Sequence, residues 1–209
     1  MLVAAPAAWA QTDQQTVIAG ARKTLGDLRH DKAFGNARTL IRQARAVLVF
    51  PKLIKGGFIV GGEGGEGVLM VRGAGGWSDP AFYAMGSASL GLQAGLQQAE
   101  VIMLVMTQKG VQGLLANEFK IGASAGISVV TLGSGVEGAI GGASLPDIVL
   151  WSSSTGLYGG LTIDGSIIRP QPDDDRAFYG RPVTTRDVLY AHTPTDRATA
   201  LRRELASLG

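Results

Sequence analysis

Apolar residues recur at helical spacing in two early segments of the chain. Over residues 15–29, Val17, Ile18, Ala21, Leu25 and Leu28 form one stripe, with Arg22, Lys23, Asp27 and Arg29 away from it. Over 33–46, Ala37, Leu40, Ile41 and Ala44 share a side. Arg38, Arg42 and Arg45 follow at i, i+4 and i+7, which stacks them on a narrow face away from those apolar positions. The period then changes. Ala46-Val47-Leu48-Val49-Phe50 predicts a strand that stops at Pro51. Residues 57–62 and 67–72 predict two strands around a glycine-rich turn, 81–95 an extended segment with glycine bends, and 101–106 a buried strand. Residues 108–116 predict a short helix. Further strands are expected at 121–135, 148–153, 156–164 and 166–169, with Asp173-Asp174-Asp175 as a loop. Helices at 185–190 and 196–208 close the chain, the second with Leu201, Leu205 and Leu208 on one stripe. Helices, then many strands, then helices argue an α+β class. N-terminal helices pack on a many-stranded, Gly-rich, mainly antiparallel sheet or barrel-like β core, and C-terminal helices follow.

Composition narrows the chemistry. Glycine supplies 31 of 209 residues, about twice its ordinary share of roughly 7%. No Gly-X-Y period accompanies it, which excludes collagen. There are no cysteines, so disulfides, zinc-thiolate sites, iron–sulfur clusters and thiol catalysis are excluded together. His30 and His192 are too few for a histidine-rich metal centre, and no metal or cofactor is expected.

Charge is unevenly spread. Between residues 22 and 55, Arg22, Lys23, Arg29, Lys32, Arg38, Arg42, Arg45, Lys52 and Lys55 face only Asp27 and Asp31, a net +7; the rest of the chain carries −5. Such polarity fits an anionic partner, a phospholipid headgroup or a nucleic acid, and equally a solvated helical face. Nucleic acid is disfavoured, because no zinc finger or RNA-recognition aromatic signature accompanies the charge, and Phe34 and Phe50 are the segment's only interleaved aromatics. Residues 80–99 are uncharged but broken by glycines and glutamines, so no segment reads as a membrane span.

At the start, Ala8-Trp9-Ala10 gives an A-x-A cleavage pattern followed by polar Gln11-Thr12-Asp13. Residues 1–10 are therefore expected to be the remnant of a signal peptide, and 11–209 one domain of an exported, periplasmic or cell-envelope protein.

Catalytic motifs match in letters and conflict with context. Gly62-Glu63-Gly64-Gly65-Glu66-Gly67 fits the dinucleotide fingerprint, yet Val68-Leu69-Met70-Val71 follows as a strand where a helix is required, and two glutamates would repel phosphate. Gly122-Ala123-Ser124-Ala125-Gly126 fits the nucleophile elbow, with Asp147 or Asp164 and then His192 in the required order. It too runs into a β-branched segment; a serine hydrolase using Ser124 and His192 stands as the enzyme alternative. Asp173–Asp175 lack the spacing of a calcium loop and read as a solvated turn. Trp77, Phe82 and Tyr83 fit core better than a membrane interface.

Several blocks occur in one order: Ala46–Pro51, Lys55–Val68, Gly76-Trp77-Ser78-Asp79-Pro80-Ala81-Phe82-Tyr83, Gly91–Gly95, Val101–Met106, Leu150–Gly160 and Phe178-Tyr179-Gly180. Together they resemble the SYLF domain family over residues 15–181, leaving 182–209 as a C-terminal helical extension. The resemblance implies lipid binding rather than catalysis. Eukaryotic members are described as phosphoinositide-binding modules that use an amphipathic N-terminal helix and basic residues, yeast members also bind actin, and bacterial relatives are typically exported. Carried onto this chain, it places lipid contact on Arg22, Lys23, Arg29, Lys32, Arg38, Arg42, Arg45, Lys52 and Lys55, with no catalytic residue. The expected partner is an anionic phospholipid membrane or single lipid; a scaffold role with an envelope protein partner is the further alternative. Two placements of the Val17–Leu28 stripe are open. It lies in the headgroup plane, or it is a lid on the core and the arginine ridge alone faces lipid.

Overall fold

The computed structural model describes residues 7–31, 34–57, 60–90, 97–122, 126–132, 145–155, 165–191 and 193–209. Two helices, α1 (Ala7–His30) and α2 (Phe34–Gln43), precede the first strand. The strands are β1 (Ala46–Gly57), β2 (Val60–Gly73), β3 (Gly76–Trp77), β4 (Ala81–Leu90), β5 (Gln97–Val105), β6 (Phe119–Lys120), β7 (Val129–Thr131), β8 (Ile148–Thr155) and β9 (Ile167–Pro170). Helix α3 (Gln108–Leu114) interrupts them, and α4 (Pro172–Tyr179), α5 (Thr185–Tyr190) and α6 (Thr199–Leu208) follow. The sheet order is β6-β9-β4-β2-β1-β5-β8-β7, with β3 beside β2. Every pairing is antiparallel except β7 with β8. The result is the expected α+β class, a mixed sheet curled into a half-barrel.

Both faces of this sheet are covered. Val47, Val49, Val68, Met70, Phe82, Ile102, Leu104, Val149 and Trp151 point to one side, where α1, α2, α4 and α6 seal them. Their neighbours Leu48, Phe50, Leu69, Tyr83, Val101, Met103 and Leu150 point to the other, under α3 and α5. Strands buried on both faces read as continuous apolar runs, which is what 46–50 and 101–106 are. The Val17–Leu28 stripe is fully part of the first layer. It is the lid of the core. Its Val, Ile and Leu side chains each contribute about 1.5–3 kcal/mol when buried, so lifting α1 into a membrane would forfeit several of these contributions.

Four expectations are corrected. Strand β1 continues beyond Pro51 to Gly57, because its register shifts between Phe50 and Leu53. A bulge is where a strand tolerates proline. Residues 60–73 form one strand, with no turn among Gly61–Gly67. The glycines serve β1: a Cβ at Gly65 would lie 2.2 Å from the Lys52 carbonyl oxygen, and one at Gly67 2.4 Å from that of Val49. Asp173–Asp175 begin a helix, with Pro172 in its first turn. That proline and the three acidic residues of the turn are themselves a helix-start signal. Within the span 121–135, the described strand is Val129–Thr131 alone. The strand expected at 156–164 lies outside the described residues.

Candidate functional site

The basic segment divides by what its side chains already touch. Lys23 donates to Asp27 and, at 3.2 Å, to Glu100, and those hydrogen bonds hold its ammonium above the ordinary lysine range. Arg29 reaches Glu204 at 3.0 Å and Ser207 at 2.6 Å on α6. Arg22, Arg38, Arg42, Arg45 and Lys52 are exposed and make no ion pair among the described residues. Lys32 and the side chain of Lys55 lie outside the described residues.

Helix α2 explains why the arginines are free. Its sequence, FGNARTLIRQ, contains no carboxylate, and no Asp or Glu occurs between Asp31 and Glu63. Ala37, Leu40 and Ile41 are buried, which leaves Arg38 and Arg42 on the opposite, solvent side. The helix ends at Gln43, so Arg45 belongs to the junction before β1. Its amide donates to the Val105 carbonyl at 2.8 Å and its carbonyl accepts from the Arg72 amide at 2.7 Å. Arg72 in turn closes the helix end: Nε donates to the Ala44 carbonyl (3.0 Å) and Nη2 to that of Ile41 (2.7 Å), with its guanidinium 4.1 Å over the Trp77 ring. A cation at a helix C-terminus is favourable to the helix dipole.

The other motif residues are structural. Trp77, Phe82 and Tyr83 are core. Asp79 is buried and lies 3.3 Å from Arg202 of α6. Phe178 packs on Phe82 with ring centroids 5.2 Å apart, and the Tyr179 hydroxyl donates to the Pro80 carbonyl at 2.7 Å. Gly180 ends α4 at φ 65°, a left-handed conformation suited to glycine. Asp175, read from sequence as part of a solvated turn, is fully buried. It accepts from the Phe82 amide at 2.8 Å and the Thr185 hydroxyl at 2.9 Å. Its role needs β4 brought to it from ninety-three residues away, which no local pattern reveals.

Among the described residues nothing assembles a hydrolase. Ser124, Asp164 and His192 lie outside the described residues. Asp147 is engaged elsewhere, accepting from Thr107 and from the amide and hydroxyl of Ser128. Burial pushes its carboxyl up, but those hydrogen bonds more than offset this and hold it below the ordinary range. Among the described residues no cluster of three His, Cys, Asp or Glu could hold a metal, and no helix is long and apolar enough to cross a membrane.

A family model described as "Ysc84: Las17-binding protein actin regulator" matches residues 86–208. The chain belongs to the Ysc84 family. The match takes in the C-terminal helices that the sequence blocks left aside. Similar curated proteins include human SH3 domain-containing YSC84-like protein 1, 24% identical over 157 residues, covering 74% of this chain and 46% of that protein. Yeast LAS seventeen-binding protein 3 is 28% identical over 156 residues (72% of this chain, 33% of the protein), and yeast protein YSC84 is 28% identical over 158. The chain therefore spans between a third and a half of the relatives it matches. One of these names is that of a binding protein, and the family description is that of a binding protein and regulator.

Proposed function

We propose that this chain is a non-enzymatic binding domain that docks on anionic phospholipid surfaces through Arg38, Arg42 and Arg45, with Arg22 and Lys52 adding to the field. The observation that carries this reading is the exposure of these arginines without carboxylate partners on a segment that has no acidic residue. Each cation near an anionic surface adds about 1 kcal/mol, fading within a Debye length of about 8–10 Å. Three suffice for salt-sensitive peripheral attachment. Docking is by a rigid face rather than by insertion, because the apolar stripe of α1 is buried in the core.

The test is co-sedimentation of the whole chain with neutral and phosphatidylglycerol-rich vesicles at low and high salt. Binding to anionic vesicles alone, lost in high salt and in an Arg38→Glu/Arg42→Glu/Arg45→Glu variant, supports the proposal. Absence of binding to every vesicle overturns it.

The family's description as a Las17-binding protein favours a second reading, in which the same face engages a protein partner. Lipid-independent pull-down of one partner, abolished by the triple variant, would select it. We further propose export to a cell envelope, on the Ala8-Trp9-Ala10 pattern. Cleavage after Ala10 would remove only the first turn of α1, and fractionation of a tagged precursor tests it.

A further inference from the structure

Beside the ridge lies a cavity of about 410 Å³, within the range of small-ligand sites. Its walls combine two features. Arg45 and Arg72 supply two guanidinium groups, and no carboxylate is among the described residues that line it. Three large hydrophobic side chains are exposed among the described residues, Ile54, Leu145 and Tyr190; two of them, Leu145 (37%) and Tyr190 (54%), line this cavity.

From this pairing we infer that the cavity binds a single anionic amphiphile, with its acidic headgroup on Arg45 and Arg72 and its apolar part against Leu145 and Tyr190. The inference extends the anionic-lipid reading from a surface to one molecule. Arg72 is preorganised for the task. The Trp77 ring and the carbonyls of Ala44 and Ile41 fix its guanidinium, and three of its five N–H groups are left over after those two bonds. A site held in place before binding loses less entropy on capture. Backbone recognition of an extended peptide is disfavoured at the cavity. The amides of Arg45, Arg72, Met106 and Val111 already donate to Val105, Arg45, Asp147 and Thr107. Selectivity must come from side chains, charge at one end and apolar contact at the other.

Calorimetric titration of the whole chain uses three probes below micellar concentration: dihexanoyl phosphatidylglycerol, dihexanoyl phosphatidylcholine and inorganic phosphate. The anionic lipid should bind about tenfold or more tightly than either other probe, and Leu145→Ser/Tyr190→Ser should weaken it by a similar factor. Arg45→Gln should weaken the anionic lipid and phosphate alike. Equal affinity for phosphate and for the anionic lipid reduces the site to a phosphate site and overturns the inference. So does absence of lipid binding by the unaltered chain, or unchanged affinity in the folded Leu145/Tyr190 variant. The vesicle reading fails separately. An Arg38→Glu/Arg42→Glu variant should lose vesicles yet keep the monomeric lipid, whereas monomer binding without vesicle binding by the unaltered chain supports the cavity while overturning the ridge.

Discussion

The Asp175 carboxylate accepts the backbone amide of Phe82 at 2.8 Å across ninety-three residues of chain. With Thr185 on its other oxygen at 2.9 Å, it ties α4 to both β4 and α5. Burial raises its pKa to about 6, against the lowering effects of those two hydrogen bonds; neighbouring Asp174 raises it further and Arg176 lowers it. The native state thus holds its proton up to about pH 6, whereas the unfolded chain releases it near 3.8. Between these values the folded form binds more protons, so this group's contribution to stability falls as pH rises from about 4 to 6 and is level above. The size is on the order of 3 kcal/mol. Asp175→Asn should remove that slope while keeping an acceptor for the Phe82 amide. Asp175→Ala should cost about 1–3 kcal/mol by leaving the amide unpaired. Urea melts of the three proteins from pH 4 to 8 check both; an unchanged slope in the asparagine variant would refute the assignment.

Glycine usage in β2 predicts a contrast between near neighbours. A Cβ at Gly67 would meet the Val49 carbonyl oxygen at 2.4 Å and the Phe50 ring at 2.5 Å, but at Gly64 only the Met85 carbonyl oxygen at 3.6 Å. Gly67→Ala should destabilise by about 2 kcal/mol or more through forced movement of β1, and Gly64→Ala should be close to neutral. Paired denaturation curves suffice to compare them.

Arg202 neutralises the buried Asp79 carboxylate. Removing one member of such a pair strands the other, at about 3–5 kcal/mol when both are fully buried. Arg202 is partly exposed, so Arg202→Met should cost somewhat less, about 2–3 kcal/mol. A midpoint within error of the unaltered protein would mean that other contacts of Asp79 compensate for Arg202.

The ridge should behave oppositely. Arg38→Glu/Arg42→Glu touches no internal ion pair among the described residues, so thermal stability should stay within about 0.5 kcal/mol of the original. Anionic-vesicle binding should be lost. Parallel loss of stability would show that the arginines serve the fold.

What could be read from sequence followed from periodicity. The stripes Val17–Leu28 and Ala37–Ala44, and the run Val101–Met106, each carry their period or apolar density within one element, and all are buried as that pattern demands. The misread parts depend on neighbours distant in sequence. Pro51 looks like a stop until the bulge that accommodates it is seen. Gly61–Gly67 look like a turn until the carbonyls of Lys52 and Val49 are seen to press on Gly65 and Gly67. For the site, charge counting found the arginines of α2. It could not tell that Lys23 and Arg29 are internally paired with Glu100 and Glu204, nor that Leu145 and Tyr190 meet Arg45 and Arg72 around one cavity.

The contact of Arg29 with Glu204 and Ser207 joins the first helix to the last. During synthesis α1 emerges early, yet Glu204, which pairs with its Arg29, follows 175 residues later. Until then part of its apolar stripe stays open to chaperones or to other nascent chains, as expected for a topology of distant contacts. A chain arrested before residue 199 should be captured by holdase chaperones and cleaved by protease, and release of α6 should end both.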